Sequence, residues 1–381
     1  MKKNQLVFFE DSIDLTLKSI LIKDSPQKIF LVTGQKSYKN CGAKKIMDEA
    51  LKKHSFIRFS EFNKNPKVED VEKGIKLFKK NNCDYVIAVG GGSVIDMAKL
   101  INAGQSINSN IKDVVLNNTE LSNPCKKILA IPTTSGAGSE ATHFAVVYIN
   151  SKKYSLAHKY YLLPDVVFLS PYLTHSTNAY QTAVSGADAL AQSIESYWSI
   201  NSNEESKEYS SKALKLIIKN LPNAVNNNCK EAKKNMMLAA YMAGKAINIS
   251  KTTGAHAMGY IFTTKFNIPH GHAVALTIHE WFRYNNDINN DDILDLRGIK
   301  YVRKTIKELS KLINEENIKP TNIFIKNFLN NIGLETSLKK LDININNLDF
   351  ILKNINLERL KNNPININSE GLKSLLLNTL N

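Results

Sequence analysis

A buried strand that runs into three glycines and out again as a helix leaves a chain few ways to fold. Tyr85-Val86-Ile87-Ala88-Val89 is an apolar run rich in β-branched residues, Gly90-Gly91-Gly92-Ser93 follows it, and Val94 to Lys99 continues with helical patterning. Strand, turn and helix in that order belong to a parallel sheet with crossover helices. The alternation recurs up to Thr177. Lys28 to Thr33 reads as a strand ending at Gly34, Val68 to Lys80 as a helix with Val68, Val71, Ile75 and Phe78 on one face, and Lys127 to Ile131 as a strand stopping at Pro132. Beyond that point the texture changes to long amphipathic helices, Tyr180 to Trp198, Ser206 to Lys219 and Lys230 to Ile249, joined by Asn-rich connections. The expected fold is a Rossmann-like α/β nucleotide-binding domain over residues 1–178 and an all-helical domain over 179–381, a division that suits a chain of 381 residues.

Composition excludes several classes. With 43% hydrophobic and 22% charged residues the chain is ordinary globular protein. No run approaches the roughly 20 apolar residues of a membrane span. Leu6 to Phe9 is too short for a signal-peptide core, so the cytoplasm is the expected compartment. Cys41, Cys83, Cys125 and Cys229 form no CxxC pair and read as reduced thiols. The net charge of +15 comes from dispersed lysines without a dense basic block, so nucleic acid is not an expected partner. The helical half leaves room for a homodimer interface.

Two loops at strand ends carry the first functional signal. Glycines at Gly90 to Gly92 let backbone approach a ligand, and the free N–H groups of a helix start attract phosphate oxygens. A tight structural turn is the competing reading of the triplet. Pro132-Thr133-Thr134-Ser135-Gly136-Ala137-Gly138-Ser139-Glu140, dense in hydroxyls and also at a strand end, favours a phosphate cradle. The second signal lies downstream. Asp188 and Gln192 share a helix face at i and i+4, while His256 and His270 sit 14 positions apart in Gly- and Pro-flanked turns. A carboxylate, two imidazoles and an amide oxygen make a reasonable divalent-metal set, though a lone Asp in a helix is usually solvated and a His in a Gly-rich turn is usually a polar turn residue.

Taken in order, the runs Gly90 to Lys99, Pro132 to Glu140, Asp188 to Glu195, and His256 with Ile268-Pro269-His270-Gly271 resemble the iron-containing (group III) alcohol dehydrogenase family, and the similarity continues to Asn363-Pro364. The resemblance implies a dehydroquinate synthase-like architecture and NAD(P)-dependent alcohol dehydrogenase or aldehyde reductase activity. It implies that Gly91, Gly92, Ser93 and Asp96 surround the cofactor pyrophosphate. Thr133, Thr134 and Ser135 would contact phosphate or ribose, Lys153 would add a cation, and Leu173 would back the nicotinamide. Asp188, His256 and His270 match three metal ligands, for Fe2+ first and Zn2+ second. Two positions depart from the family pattern: Gln192 replaces a ligand histidine, and Tyr260 replaces a histidine near the reacting oxygen. His272 is a nearby substitute for the latter, so Tyr260 and His272 are the candidates for handling the proton. Gly34-Gln35-Lys36-Ser37 lacks the acid that would bind a ribose 2′-hydroxyl, which favours NADPH over NADH; Lys36 as a mere turn residue is the other reading.

Ser139 to Phe144, Ser193 to Trp198 and Ala246 to Thr253 resemble a smaller branch, the phosphonoacetaldehyde reductases. On that reading Ser250, Lys251, Thr252 and Thr253 bind a phosphonate oxyanion, and the reaction is phosphonoacetaldehyde to 2-hydroxyethylphosphonate. The same four residues also read as a helix end followed by an N-cap. A general dehydrogenase of uncharged short-chain alcohols is the alternative function. A non-catalytic nucleotide-binding protein, suggested by Gln192 and Tyr260, is the remote one.

Overall fold

The computed structural model describes residues 5–117, 121, 124–150, 152–288, 292–316 and 318–380. The chain divides into two compact units, Met1–Thr177 and Asn178–Asn381.

The first unit is built on a parallel sheet. Its strands are β1 (Leu6–Phe9), β2 (Ile29–Thr33), β3 (Phe56–Phe59), β4 (Tyr85–Gly90), β5 (Lys127–Pro132) and β8 (Val166–Leu169), in the spatial order β1-β8-β5-β4-β2-β3. Every residue of β2, β4 and β8 is buried, as expected of strands covered by helices on both faces. Register sets the site: Thr33 pairs with Val89, and Gly90 pairs with Pro132. The Gly34, Gly90 and Pro132 loops therefore leave neighbouring strands at the same carboxyl edge. The chain moves outward from β2 to β3 and then to β4 on the other side of β2, and ligands of open α/β sheets bind at such a switch point. An antiparallel hairpin, β6 (Phe144–Ile149) and β7 (Lys152–Ala157), interrupts the pattern and had no clear signature in the sequence.

The second unit is helical around one large core that includes Trp198, Trp281, Phe262 and Leu276. Among its helices are Ala179–Trp198, Glu204–Asn226, Lys230–Ser250, Gly254–Lys265 and His270–Asn286. Asn178 caps the first of these by accepting the Gln181 N–H at 2.8 Å. The helix expected to end at Lys219 instead runs to Asn226 through Pro222. Burial of Leu221, Ala224 and Val225 offsets the hydrogen bond that the proline lacks. Among the described residues no helix is long and apolar enough to cross a membrane.

Candidate functional site

Three helices of the second unit converge on one cluster. Asp188 comes from Ala179–Trp198, His256 from the first turn of Gly254–Lys265, and His270 is the first residue of His270–Asn286; their ligand atoms lie within 4.8 Å of one another. Gly271 makes the approach feasible. A Cβ there would stand 2.0 Å from the Val184 carbonyl oxygen and 3.0 Å from Asp188 Cβ, so only glycine lets the His270 helix press against the Asp188 helix. His256 and His270 meet edge to face, with ring centroids 5.5 Å apart.

Glu195 organises this cluster. It lies seven residues after Asp188 on the same helix and is fully buried. One carboxylate oxygen takes His256 Nδ1, and the other accepts from Ala255 N–H at 2.7 Å, His256 N–H at 3.2 Å and the Thr253 hydroxyl at 3.2 Å. With Nδ1 engaged, His256 presents Nε2 toward Asp188 Oδ1, 3.3 Å away. A carboxylate that fixes the tautomer of a ligating histidine is the usual outer support of a metal site. Burial alone would push the His256 imidazole down, but Glu195 and Asp188 overcome it and hold it up at about 9. The cluster thus calls for positive charge, and one carboxylate with two imidazoles fits a divalent ion such as Fe2+ or Zn2+. Gln192 is buried one turn after Asp188.

Around the cluster the candidates separate. Tyr260 stacks on His270, centroids 5.9 Å apart and planes 20° apart. Burial raises its hydroxyl further above the usual range, with Arg359 beside it acting in the opposite sense. It therefore stays protonated. His272 is a correction. Its Nε2 donates to the Glu335 carbonyl at 2.7 Å, its Nδ1 accepts from the Tyr180 hydroxyl at 3.0 Å, and burial pushes its pKa down. With both nitrogens committed it braces the helix start and does not handle a substrate proton. Ser250 and Thr253 are corrections too. Both are fully buried: the Ser250 hydroxyl bonds Ser196 Oγ at 2.6 Å, and Thr253 accepts from Trp198 Nε1 at 2.9 Å while donating to Glu195. They hold the turn that delivers His256. Lys251 is exposed, at the helix end with φ 64°, and Thr252 is buried against Arg359 and Asn362.

In the first unit the two glycine loops pack against each other. A Cβ on Gly92 would stand 2.6 Å from Ala137 Cβ, and one on Gly91 would stand 3.1 Å from Thr134 Oγ1. Ser93, Thr134 and Ser135 are half-buried on this surface, and Thr133 is buried with its N–H on the Gly90 carbonyl at 3.1 Å. Ser135 Oγ is buried and has no hydrogen-bond partner among the described residues, as suits a group awaiting a ligand. Asp96 is buried, its Oδ2 accepts the Val146 N–H at 3.0 Å, and burial pushes its carboxyl up. That bond ties the helix to β6, and Lys153 on β7 is near enough to offset part of the shift. Leu173, expected behind the nicotinamide, is instead buried in the sheet core with Val89 and Ile131.

Lys99 closes the first glycine motif, but the sequence assigned it no role. Fully buried, it donates to the carbonyls of Ser139, Thr142 (2.7 Å) and Phe144 (3.0 Å), and burial pulls its pKa down to about 8. It locks the second loop to the helix that follows the first. Arg58 on β3 was overlooked in the sequence. It donates to Thr33 Oγ1 at 2.8 Å and the Gly34 carbonyl at 3.1 Å, beside exposed Lys36 and Ser37.

The family model for iron-containing alcohol dehydrogenase matches residues 4–171, and its C-terminal companion matches 182–380. The chain belongs to this family. Aldehyde-alcohol dehydrogenase 2 of Entamoeba histolytica is 31% identical over 68% of the chain, but the match spans only 31% of that protein's length. Phosphonoacetaldehyde reductase of Streptomyces viridochromogenes is 29% identical over 77% of the chain and 75% of its own length. Sulfoacetaldehyde reductase from Bifidobacterium kashiwanohense, solved in complex with NAD+, superposes with a TM-score of 0.87 at 27% identity, over 99% of this chain and 97% of that one. Within the family's frame, Asn363-Pro364 acquires a role. Asn363 and Asn285 exchange side-chain hydrogen bonds at 2.8 and 3.0 Å, fastening the C-terminal segment to the His270 helix. That segment carries Arg359, which nothing in the sequence singled out.

Proposed function

We propose that the protein is a metal-dependent, NAD(P)H-linked reductase of a small aldehyde that bears an oxyanion, with phosphonoacetaldehyde, reduced to 2-hydroxyethylphosphonate, as the leading substrate. The observation that carries the reading is the Asp188–His256–His270 cluster with Glu195 behind it, in a chain of this family. The substrate class is supported by two relatives named for two-carbon aldehydes that carry a phosphonate or a sulfonate.

Asp188, His256 and His270 would hold the ion, with Gln192 as a further oxygen donor. When bound, the divalent ion supplies Lewis acidity at the carbonyl oxygen and the nicotinamide supplies hydride. Glu195 keeps His256 in the tautomer that leaves Nε2 for ligation. Tyr260, protonated and stacked on His270, offers a hydrogen bond to the nascent alcohol oxygen, and a solvent proton completes the product. Gly91, Gly92, Ser93, Thr134 and Ser135 cradle the cofactor phosphates. Lys36, Ser37 and Arg58 surround Gly34 with hydroxyl and positive charge and favour a 2′-phosphate, hence NADPH.

The test is NADPH and NADH oxidation by Fe2+- or Zn2+-reconstituted protein with phosphonoacetaldehyde against propanal. Preferred turnover of phosphonoacetaldehyde with NADPH is expected. Equal turnover of propanal would favour a general alcohol dehydrogenase, a reading that the closed-off Ser250 and Thr253 leave standing. No turnover by metal- and nucleotide-bound protein would leave a binding protein only.

A further inference from the structure

We propose that Arg359 is the anchor for the substrate's oxyanion: its guanidinium binds the phosphonate or sulfonate of a two-carbon aldehyde whose carbonyl faces the Asp188–His256–His270 cluster. The inference rests on the anionic-aldehyde reading above and names the residue that would enforce it.

Placement comes first. Arg359 lies on the short turn Leu357–Leu360, half-buried, with Nη1 at 3.3 Å from Thr252 Oγ1 and its guanidinium in hydrogen-bonding contact with Tyr260. Tyr260 stacks on His270. Arg359 and the cluster residue His270 therefore share Tyr260 as a neighbour, His270 at its ring face and Arg359 beside its hydroxyl.

The turn is also tied to its neighbours before and after the arginine. Asn356 donates its backbone N–H to the Ala257 carbonyl at 3.4 Å, and its side chain accepts the Arg359 N–H at 3.1 Å. Asn362 Nδ2 reaches the Thr252 carbonyl at 3.0 Å, its carbonyl accepts the Ile200 N–H at 3.0 Å, and Asn363 is paired with Asn285. Ala257 and Thr252 bracket His256, so the elements that set the metal ligand also set the arginine. A binding group held this way loses little freedom when it engages a ligand.

Its partners leave it capacity. Arg283 is paired with Glu280 and Asp287, and Arg297 with Asp295. Arg359 forms no ion pair among the described residues; its side-chain partners are two neutral hydroxyls. A guanidinium has five N–H donors and binds a tetrahedral oxyanion through a fork, more strongly than it binds hydroxyls. Lys251, the cation expected from the sequence, is exposed at the end of its helix.

The experiment compares wild type with Arg359→Met and Arg359→Lys, after metal content and NADPH binding have been measured on each. Steady-state kinetics are run with phosphonoacetaldehyde, sulfoacetaldehyde and propanal, and binding of 2-hydroxyethylphosphonate to metal-loaded protein is followed by calorimetry. The expected result for Arg359→Met is a 10- to 100-fold fall in the ratio of kcat/KM for the anionic aldehyde to that for propanal, about what a charge-assisted hydrogen bond is worth. KM should carry most of it, calorimetric affinity should fall in parallel, and lysine should restore part of both. The two anions identify which oxyanion the site takes. Equal losses on charged and neutral aldehydes, or an unchanged ratio, would overturn the anchor while leaving a wild-type preference for the anion intact. A wild type without that preference overturns the substrate reading itself, and the anchor with it. Should Arg359→Met fail to fold, the KM ratio of Arg359→Lys decides by the same criterion.

Discussion

Glu195 commits its carboxylate to one imidazole and to the turn that carries it, which makes it the residue most able to separate metal affinity from metal ligation. Replacing Asp188 or His270 by Ala should abolish stoichiometric metal binding and turnover while nucleotide binding persists, as read by metal analysis and by NADPH titration. Glu195→Gln should keep the ligands yet weaken metal binding roughly 10- to 100-fold in chelator competition, the usual effect of losing an outer carboxylate. Affinity should also depend on pH. His256 holds its proton up to about 9, and a metal must displace it. Metal affinity should therefore rise by up to about tenfold per pH unit below that value and level off above it. A flat profile over pH 6–8 would show that His256 is not a ligand. At the cofactor end, Lys36→Ala should lower the preference for NADPH over NADH roughly fivefold, the scale of an exposed charge pair.

The helices that bear Asp188 and His270 approach each other at backbone distance at one point as well as sharing a side-chain core. At Gly271 the His270 helix meets the Asp188 helix so closely that an added methyl would lie 2.0 Å from a carbonyl oxygen. Gly271→Ala must push the two helices apart. The expected cost is about 1–3 kcal/mol or more, seen as a lower Tm, together with loss of metal, because His270 is the next residue. Retained metal stoichiometry with an unchanged Tm would contradict this packing. The two glycine loops of the first unit rely on a different device. There Lys99 clamps three carbonyls from the segment after the second loop, so the loop's shape depends on a buried ammonium and not on glycine alone.

At the scale of the whole molecule, acid sensitivity has an identifiable source on the same helix as His270, nine residues further along it. His279 is almost wholly buried in the His270–Asn286 helix, and burial, with Lys326 and Arg283, pushes it down to about 3. Between pH 6.5 and about 3 the unfolded chain binds a proton that the folded chain refuses, so stability is lost as pH falls below 6.5. At pH 5 the loss amounts to about 2 kcal/mol. His279→Leu should lessen the difference in denaturation midpoint between pH 7 and pH 5; an unchanged difference would assign the acid sensitivity to other groups.

The parallel strands, the glycine turns at their ends and the switch to helices at Asn178 were written in local patterns: runs of β-branched residues, glycine after a strand, apolar residues every three or four positions. Local patterns are set by neighbours in the chain, so a sequence displays them directly. The family, too, was legible, because four motifs in order are specific where each alone is not. Direction and partnership were not legible. Ser250, Thr253 and His272 have the right chemistry for ligands, and folding turned each toward an internal partner that desolvation obliged it to find. Arg359 is the converse: it stands 103 positions from His256, without a motif of its own, and reaches the cluster only because Asn356, Asn362 and Asn363 fasten its turn there. Sequence determined which elements form and which residue types are at hand. Only tertiary packing decided which polar groups are used up inside the fold and which are left to meet a ligand, since that depends on the shortage of partners in a buried interior.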